Sequence, residues 1–168
     1  MAYLSYLAYG SNLHLSRMRR RVPSACVRGR VELPGWQLRF HKRGADGSGK
    51  CNVIQTRDPA DRVHAVIYRI AAGEKALLDQ AEGLGRGYEV QRLRFDPHGE
   101  VFLYVAAATH IDELLQPFTW YKAYVVEGAR FHGLPSDYID AMGSAEAIGD
   151  PDAQRQRDNV RLLWHLWR

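Results

Sequence analysis

The stretch Tyr3-Leu4-Ser5-Tyr6-Leu7-Ala8-Tyr9-Gly10-Ser11-Asn12-Leu13 opens the chain and sets its fold class. Aromatic and aliphatic residues through Tyr9 read as a buried first strand, and Gly10 breaks it. Ser11 or Asn12 can then cap a short helix that runs toward Arg21 and stops before Pro23. Beyond Pro23 the chain returns to strands instead of forming a second helix. That order separates this chain from a regularly alternating parallel sheet.

Ala25 to Leu33 and Trp36 to Lys42 read as strands parted by the Pro34-Gly35 turn. Arg43 to Lys50 holds three glycines with Asp and Ser and reads as a mobile loop. Cys51 to Thr56 and Val63 to Ile70 are two further strands around Asp58-Pro59-Ala60-Asp61. Glu74 to Leu84 is the first convincing internal helix, with Leu77, Leu78, Ala81 and Leu84 on one side at helical spacing. Glycines 83, 85 and 87 end it, and Tyr88 to Phe95 with Val101 to Ala106 form a hairpin across Asp96-Pro97-His98-Gly99. From Thr119 the pattern is helical, with a break at Gly133-Leu134-Pro135 and a last amphipathic segment from Asp152 to Arg168. Strands first and helices last predict an α+β fold with a curved sheet or small barrel.

A chain of 168 residues fits one domain with a core of its own, and its 46% hydrophobic and 25% charged residues are those of an ordinary globular protein. Two cysteines, Cys26 and Cys51, exclude a disulfide framework and read as two buried thiols in a reducing compartment. The N-terminus has neither a basic leader nor a long apolar run, so a cytoplasmic protein with no membrane partner is expected. The charge of +4 favours anionic small molecules without naming one.

Three segments hold residues that could do chemistry. In Tyr9-Gly10-Ser11-Asn12-Leu13, a glycine straight after a strand lets backbone approach a ligand closely, and a helix start offers free amides with a positive dipole. Such a loop suits a carboxylate, or an oxygen that becomes negative during reaction. Taken alone, it is more often an ordinary capped turn. Glu82 lies at the edge of the apolar face of its helix, one turn after Leu78 and away from Lys75 and Asp79. A carboxylate at the border of a core beside three glycines is placed to serve as a general base, although taken alone a solvated glutamate is the commoner case. The third segment, Tyr121 to Ala129 followed by His132-Gly133-Leu134-Pro135, reads mostly as a packed helix with its stop.

Taken together, these segments resemble the γ-glutamylcyclotransferase family. The resemblance is carried by Tyr6-Leu7-Ala8-Tyr9-Gly10-Ser11-Asn12-Leu13, then Leu78-Asp79-Gln80-Ala81-Glu82-Gly83 with Tyr88, then Tyr121-Lys122 through Gly128-Ala129 to Gly133-Leu134-Pro135-Ser136-Asp137-Tyr138. The matches fall in the right order across residues 3 to about 140. The resemblance implies one domain over residues 1–168, a small mixed β-barrel flanked by helices, and cyclisation of a γ-glutamyl amino acid or related γ-glutamyl compound to 5-oxoproline with release of the amine. It makes Glu82 the catalytic acid/base, Tyr6, Leu7, Ala8, Tyr9, Gly10, Ser11 and Asn12 the substrate-holding loop, and Tyr88 and Tyr121 pocket tyrosines. No metal or organic cofactor is required by this chemistry, because nucleophile and electrophile belong to one molecule. Tyr-Gly-Ser-Asn-Leu differs from the Tyr-Gly-Ser-Leu of the glutathione-specific branch, which argues against that branch. The tail beyond about residue 145, with Trp164 and Trp167, matches nothing in the family, so leaving-group preference and assembly stay open, a homodimer included.

Other readings compete with this one. Arg17, Arg19, Arg20 and Arg21 invite nucleic-acid binding, but the interleaved aromatics of a single-strand binder are missing and a short basic run is usually a solvated helix face. His14, His64, His110 and His132 show no convincing ligand pair; His14 lies near the loop, where a surface position is the expectation. A cyclotransferase for γ-glutamyl-amines or a γ-glutamyl-protected metabolite, and a non-catalytic module of the same fold, are the remaining alternatives.

Overall fold

The computed structural model describes residues 2–164; the last four residues, Trp167 among them, lie outside the described residues. The opening stretch forms β1 (Tyr3–Ala8), a single 3-10 turn over Ser11–Leu13, and α1 (Leu15–Arg21). Neither Ser11 nor Asn12 caps α1. The cap is the side chain of His14, which accepts from the Arg17 amide, and this frees Ser11 and Asn12 to turn inward.

Five strands make one sheet in the order β2-β5-β1-β7-β6, with β2 at Cys26–Pro34, β5 at Arg62–Ala71, β6 at Tyr88–Phe95 and β7 at Gly99–Ala106. β1 lies at its centre, antiparallel to β5 with Tyr6 opposite Tyr68, and parallel to β7 with Tyr6 opposite Phe102. The β6–β7 hairpin forms in the expected place across Asp96 to His98. β3 (Trp36–Arg43) and β4 (Gly49–Gln55) form a separate two-stranded ribbon. Gly35, at φ +76°, turns the chain out of β2 into that ribbon, so strands adjacent in sequence enter different sheets. The connection between β3 and β4 is fastened by Asp46, which accepts from Lys50 and from the Ser48 hydroxyl. The ribbon is stitched to the main sheet where Asn52 Oδ1 accepts the Ala106 amide at 2.8 Å. The class is therefore α+β with a curled mixed sheet, as expected. It is not a closed barrel, because the edge strands β2 and β6 do not pair.

Helix α2 (Lys75–Glu82) corrects the expected apolar face. Leu78 is fully buried, but Leu77 is 49% and Leu84 37% exposed, and Ala81 faces out as well. The inward stripe is Lys75, Leu78, Asp79 and Glu82, positions that share one helical face. Partners on β7 decide this: the Tyr104 hydroxyl donates to Asp79 at 2.6 Å, and the Lys75 ammonium lies 5.0 Å from the Phe102 ring, a cation–π contact. Glu82 thus shares a face with Lys75 and Asp79. The helix ends at Gly83, φ +73°, with the Leu84 amide returning to the Asp79 carbonyl at 2.9 Å.

Three helices close the other side: α3 (Thr119–Phe131), α4 (Ser136–Ser144) and α5 (Ala153–Leu163). Of the two thiols, Cys51 is buried as expected and Cys26 is exposed. Among the described residues no helix is long and apolar enough to cross a membrane. Helix α3 meets the loop after β1 backbone to backbone. A Cβ added at Gly128 would lie 2.4 Å from the His14 nitrogen and the Leu13 carbonyl carbon. Gly128→Ala should therefore cost about 1–3 kcal/mol, the range for overpacking, and displace the loop. Gly143→Ala, in a helix with open space around the new methyl, should be neutral or stabilising. Paired chemical denaturation measures both; equal stabilities for the two variants would show that the close approach does not constrain the loop.

Candidate active site

The loop after β1, the end of α2 and the face of α3 converge on one carboxylate. Glu82 Oε1 accepts from Asn12 Nδ2 at 2.9 Å and from Arg21 at 2.5 Å, and Arg21 also donates to Asn12 Oδ1 at 2.8 Å. Asn12 Nδ2 completes the group with a 2.9 Å bond to the Tyr6 hydroxyl. Asn12, Arg21 and Glu82 thus form a closed triangle of charge-assisted hydrogen bonds that fixes the carboxylate in place. The side chain of Glu82 remains partly open, at 14% exposure, and it faces a cleft.

Tyrosines wall the recess behind Glu82, together with Gly10, Ser11, Asn12 and Cys51. The Tyr88 hydroxyl donates to the Cys51 carbonyl at 2.5 Å, and the Tyr121 hydroxyl accepts the Cys51 amide at 3.0 Å. The Tyr9 hydroxyl donates to the Tyr104 carbonyl. Burial holds the phenols of Tyr6, Tyr9, Tyr88 and Tyr121 far above their ordinary range, with Glu82 adding to the effect, so they stay neutral. Burial also pushes the Cys51 thiol up to about 12, which keeps it protonated and poorly nucleophilic at neutral pH.

Gly10 serves a different end from the one its position suggests. A Cβ there would stand 2.8 Å from Cys51 Cβ, so the missing side chain brings the loop against β4. Leu7 and Ala8 do not line the recess; both are fully buried, and Leu7 pairs with Ile67 in the sheet. Tyr6, Tyr9, Gly10, Ser11, Asn12, Tyr88 and Tyr121 do come together around Glu82.

In front of Glu82 the cleft opens to about 430 Å³, with Arg17, Arg21, Lys42, Arg43, Lys50 and Arg86 on its walls and Glu82 as the one carboxylate among the described residues that line it. Two of these cations belong to the run taken for a solvated helix face. Arg17 and Arg21 are one helical turn apart, so both point inward while Arg19 and Arg20 stay exposed. Arg17 donates to Ser11 Oγ at 3.2 Å and lies 4.6 Å from the Tyr124 ring. Burial lowers it to about 10, and it remains a cation at neutral pH. Their i, i+4 spacing on a helix that starts at the loop was the available signal. Lys42 and Lys50, on paired strands, left no comparable one. Among the described residues no group of three or more His, Cys, Asp or Glu could hold a metal ion.

Fold and site define a small α+β protein built around one hydrogen-bonded carboxylate between a tyrosine-walled recess and a cationic cleft. A sequence profile of the AIG2-like family matches residues 62–142. The chain is 29% identical to a γ-glutamylcyclotransferase of Bos taurus over 147 residues, 84% of this chain and 78% of that one. A solved γ-glutamyl cyclotransferase superposes with a TM-score of 0.81 at 23% identity, covering 95% of this chain and 99% of the other. An uncharacterized protein from Homo sapiens superposes at 0.80 with 24% identity, covering 96% and 99%. The chain is similar to γ-glutamylcyclotransferases in sequence and in fold, and the resemblance drawn from three short segments extends over most of its length.

His14 proves to be structural. It is fully buried, packs edge-on against Tyr124 at 5.0 Å and caps α1, not a surface residue and not a lining residue of the recess. Burial lowers its pKa from 6.5 to about 4, and burial lowers that of His132 too. The unfolded chain therefore takes up a proton at His14 below about pH 6.5, while the folded chain resists until about 4. Stability should fall across that window, by on the order of 3 kcal/mol from His14. His14→Asn keeps an acceptor for the cap and removes the titration. Its melting temperature should drop less than the parent's between pH 7 and pH 4.5, and an identical drop would show that His14 is not the titrating group.

Proposed function

We propose that the protein is a γ-glutamylcyclotransferase whose acid/base is Glu82, converting a γ-glutamyl compound to 5-oxoproline with release of the attached amine. The observation that carries this reading is the Asn12–Arg21–Glu82 triangle, which aims one fixed carboxylate at the junction of recess and cleft. A fold kept only for binding would not need it there.

The reaction requires two protons to pass from the α-nitrogen to the departing nitrogen. The substrate's α-ammonium gives a proton to Glu82, and the freed amine attacks the γ-carbonyl carbon of the same molecule. The tetrahedral oxygen that results is negative and needs donors. The amides of Ser11 and Asn12 lie ahead of the first hydrogen bond of the 3-10 turn, from Leu13 back to Gly10, and are placed to serve. Collapse of the intermediate breaks the bond to the departing nitrogen, and Glu82 returns its proton there. The regenerated carboxylate then takes the second proton from the ring nitrogen, which leaves a neutral lactam, and passes it to the released amine, which departs as its ammonium form. Neutral Tyr88 and Tyr121 hold the walls that keep the chain of the substrate curled, so ring closure begins from a near-attack geometry.

Incubation of the protein with a γ-glutamyl amino acid should release 5-oxoproline, detected by chromatography. Glu82→Gln can still accept from Arg21 and Asn12 but cannot take the ammonium proton. It should lose roughly 100-fold or more in turnover, the scale of a positioned acid/base, with a melting temperature close to the parent's. Full turnover by Glu82→Gln would remove Glu82 from the mechanism.

A further inference from the structure

We propose, resting on the cyclisation reading above, that Lys42 is the residue that selects the leaving group, by pairing its ammonium with a carboxylate on the departing amine. The cations around the cleft are not equivalent. Arg21 is bound to Glu82, Lys50 to Asp46 at 2.7 Å and Arg43 to Asp112 at 2.9 Å. Arg17 is engaged with Ser11 and Tyr124, and Arg86 stands exposed. Lys42 is only 5% exposed, yet among the described residues it has no salt bridge, and it lines the cleft.

The position of Lys42 is built and not incidental. Its Nζ lies 4.3 Å from the Tyr88 ring, over the tyrosine that also walls the recess. The space it occupies exists because residue 87 is glycine, at φ +123°: a Cβ there would stand 3.0 Å from Nζ and 2.9 Å from Cε. Burial weakens its hold on the proton while Glu82 and Asp46 act the other way. A buried cation short of a counter-charge is costly, and an anionic ligand that supplies one gains correspondingly.

Geometry places that anion. The scissile carbonyl must sit beside Glu82, which recess and cleft share with Ser11, Tyr88 and Tyr121. With the glutamyl part in the recess, the departing amine projects into the cleft, on Lys42's side. The Lys42 ammonium then meets the carboxylate of a departing amino acid, whereas a simple amine leaves it unpaired.

γ-Glutamylalanine and γ-glutamylethylamine differ by that one carboxylate, so 5-oxoproline release from each gives the answer. The parent should prefer γ-glutamylalanine by roughly 100-fold in kcat/KM, mostly through KM, the order expected for a buried charge-assisted pair. Lys42→Met should abolish most of that preference by slowing the alanine substrate alone. Lys42→Arg, which keeps a cation, should retain part of it, and Arg86→Met, which lowers the cleft's charge equally, should retain nearly all. Equal kcat/KM for the two substrates in the parent would overturn the role of Lys42 while leaving the cyclisation intact. Equal losses on both substrates in Lys42→Met would place Lys42 on the glutamyl portion and overturn it too, as would a preference that Arg86→Met destroys. If Lys42→Met does not fold, loss of the preference in a folded Lys42→Arg overturns it. Release from neither substrate overturns the cyclisation reading, and this inference with it.

Discussion

The arrangement of this protein depends on holding one carboxylate still at the mouth of a recess. Glu82 ends a helix of eight residues, and a helix end is where a side chain is least restrained by its own backbone. The restraint comes from elsewhere in the chain: Asn12 from the loop after β1 and Arg21 from the end of α1. Both donors lie within ten residues of each other, so a single loop-and-helix segment positions the group. That segment is in turn pinned by Gly128 of α3 behind it and by Gly10 against Cys51 in front. The sheet gives the same segment its root, since β1 is paired on both sides.

This layout explains why tyrosines dominate the recess. Around a fixed carboxylate, further ionisable groups would titrate with it, whereas buried phenols stay neutral and still offer hydrogen bonds. Several of them spend those bonds on the backbone of β4 and β7, which makes the recess wall part of the sheet rather than a set of loose side chains. Positive charge is kept to the outer cleft, where it meets ligand before the recess does.

The sequence shows its local features clearly and its tertiary ones poorly. The β6–β7 hairpin, the strand-to-turn break at Gly10 and the helix stop at Gly133 to Pro135 are legible because turn chemistry is written in a few adjacent residues. The face of α2 is not, since Leu77, Leu78, Ala81 and Leu84 make a plausible stripe and only Tyr104 and Phe102, two dozen residues on, select the polar one. Barrel closure fails for a similar reason: each strand is visible, but the pairing of β3 with β4 rather than with the main sheet is not. Glu82 and most of the loop are readable through resemblance, and Arg21 is hidden inside a run of arginines that looks like surface. Its partner lies 61 residues away.

A double-mutant cycle in turnover tests most directly whether Arg21 acts on the reaction through Glu82. Arg21→Met in the parent should lower kcat/KM by about tenfold, the scale of a lost charge-assisted bond to a catalytic group. In the Glu82→Gln background the same change should cost almost nothing, because residues that act as a unit are not additive. Fully additive losses would mean that Arg21 and Glu82 serve the substrate separately, and would contradict the dependence of one on the other.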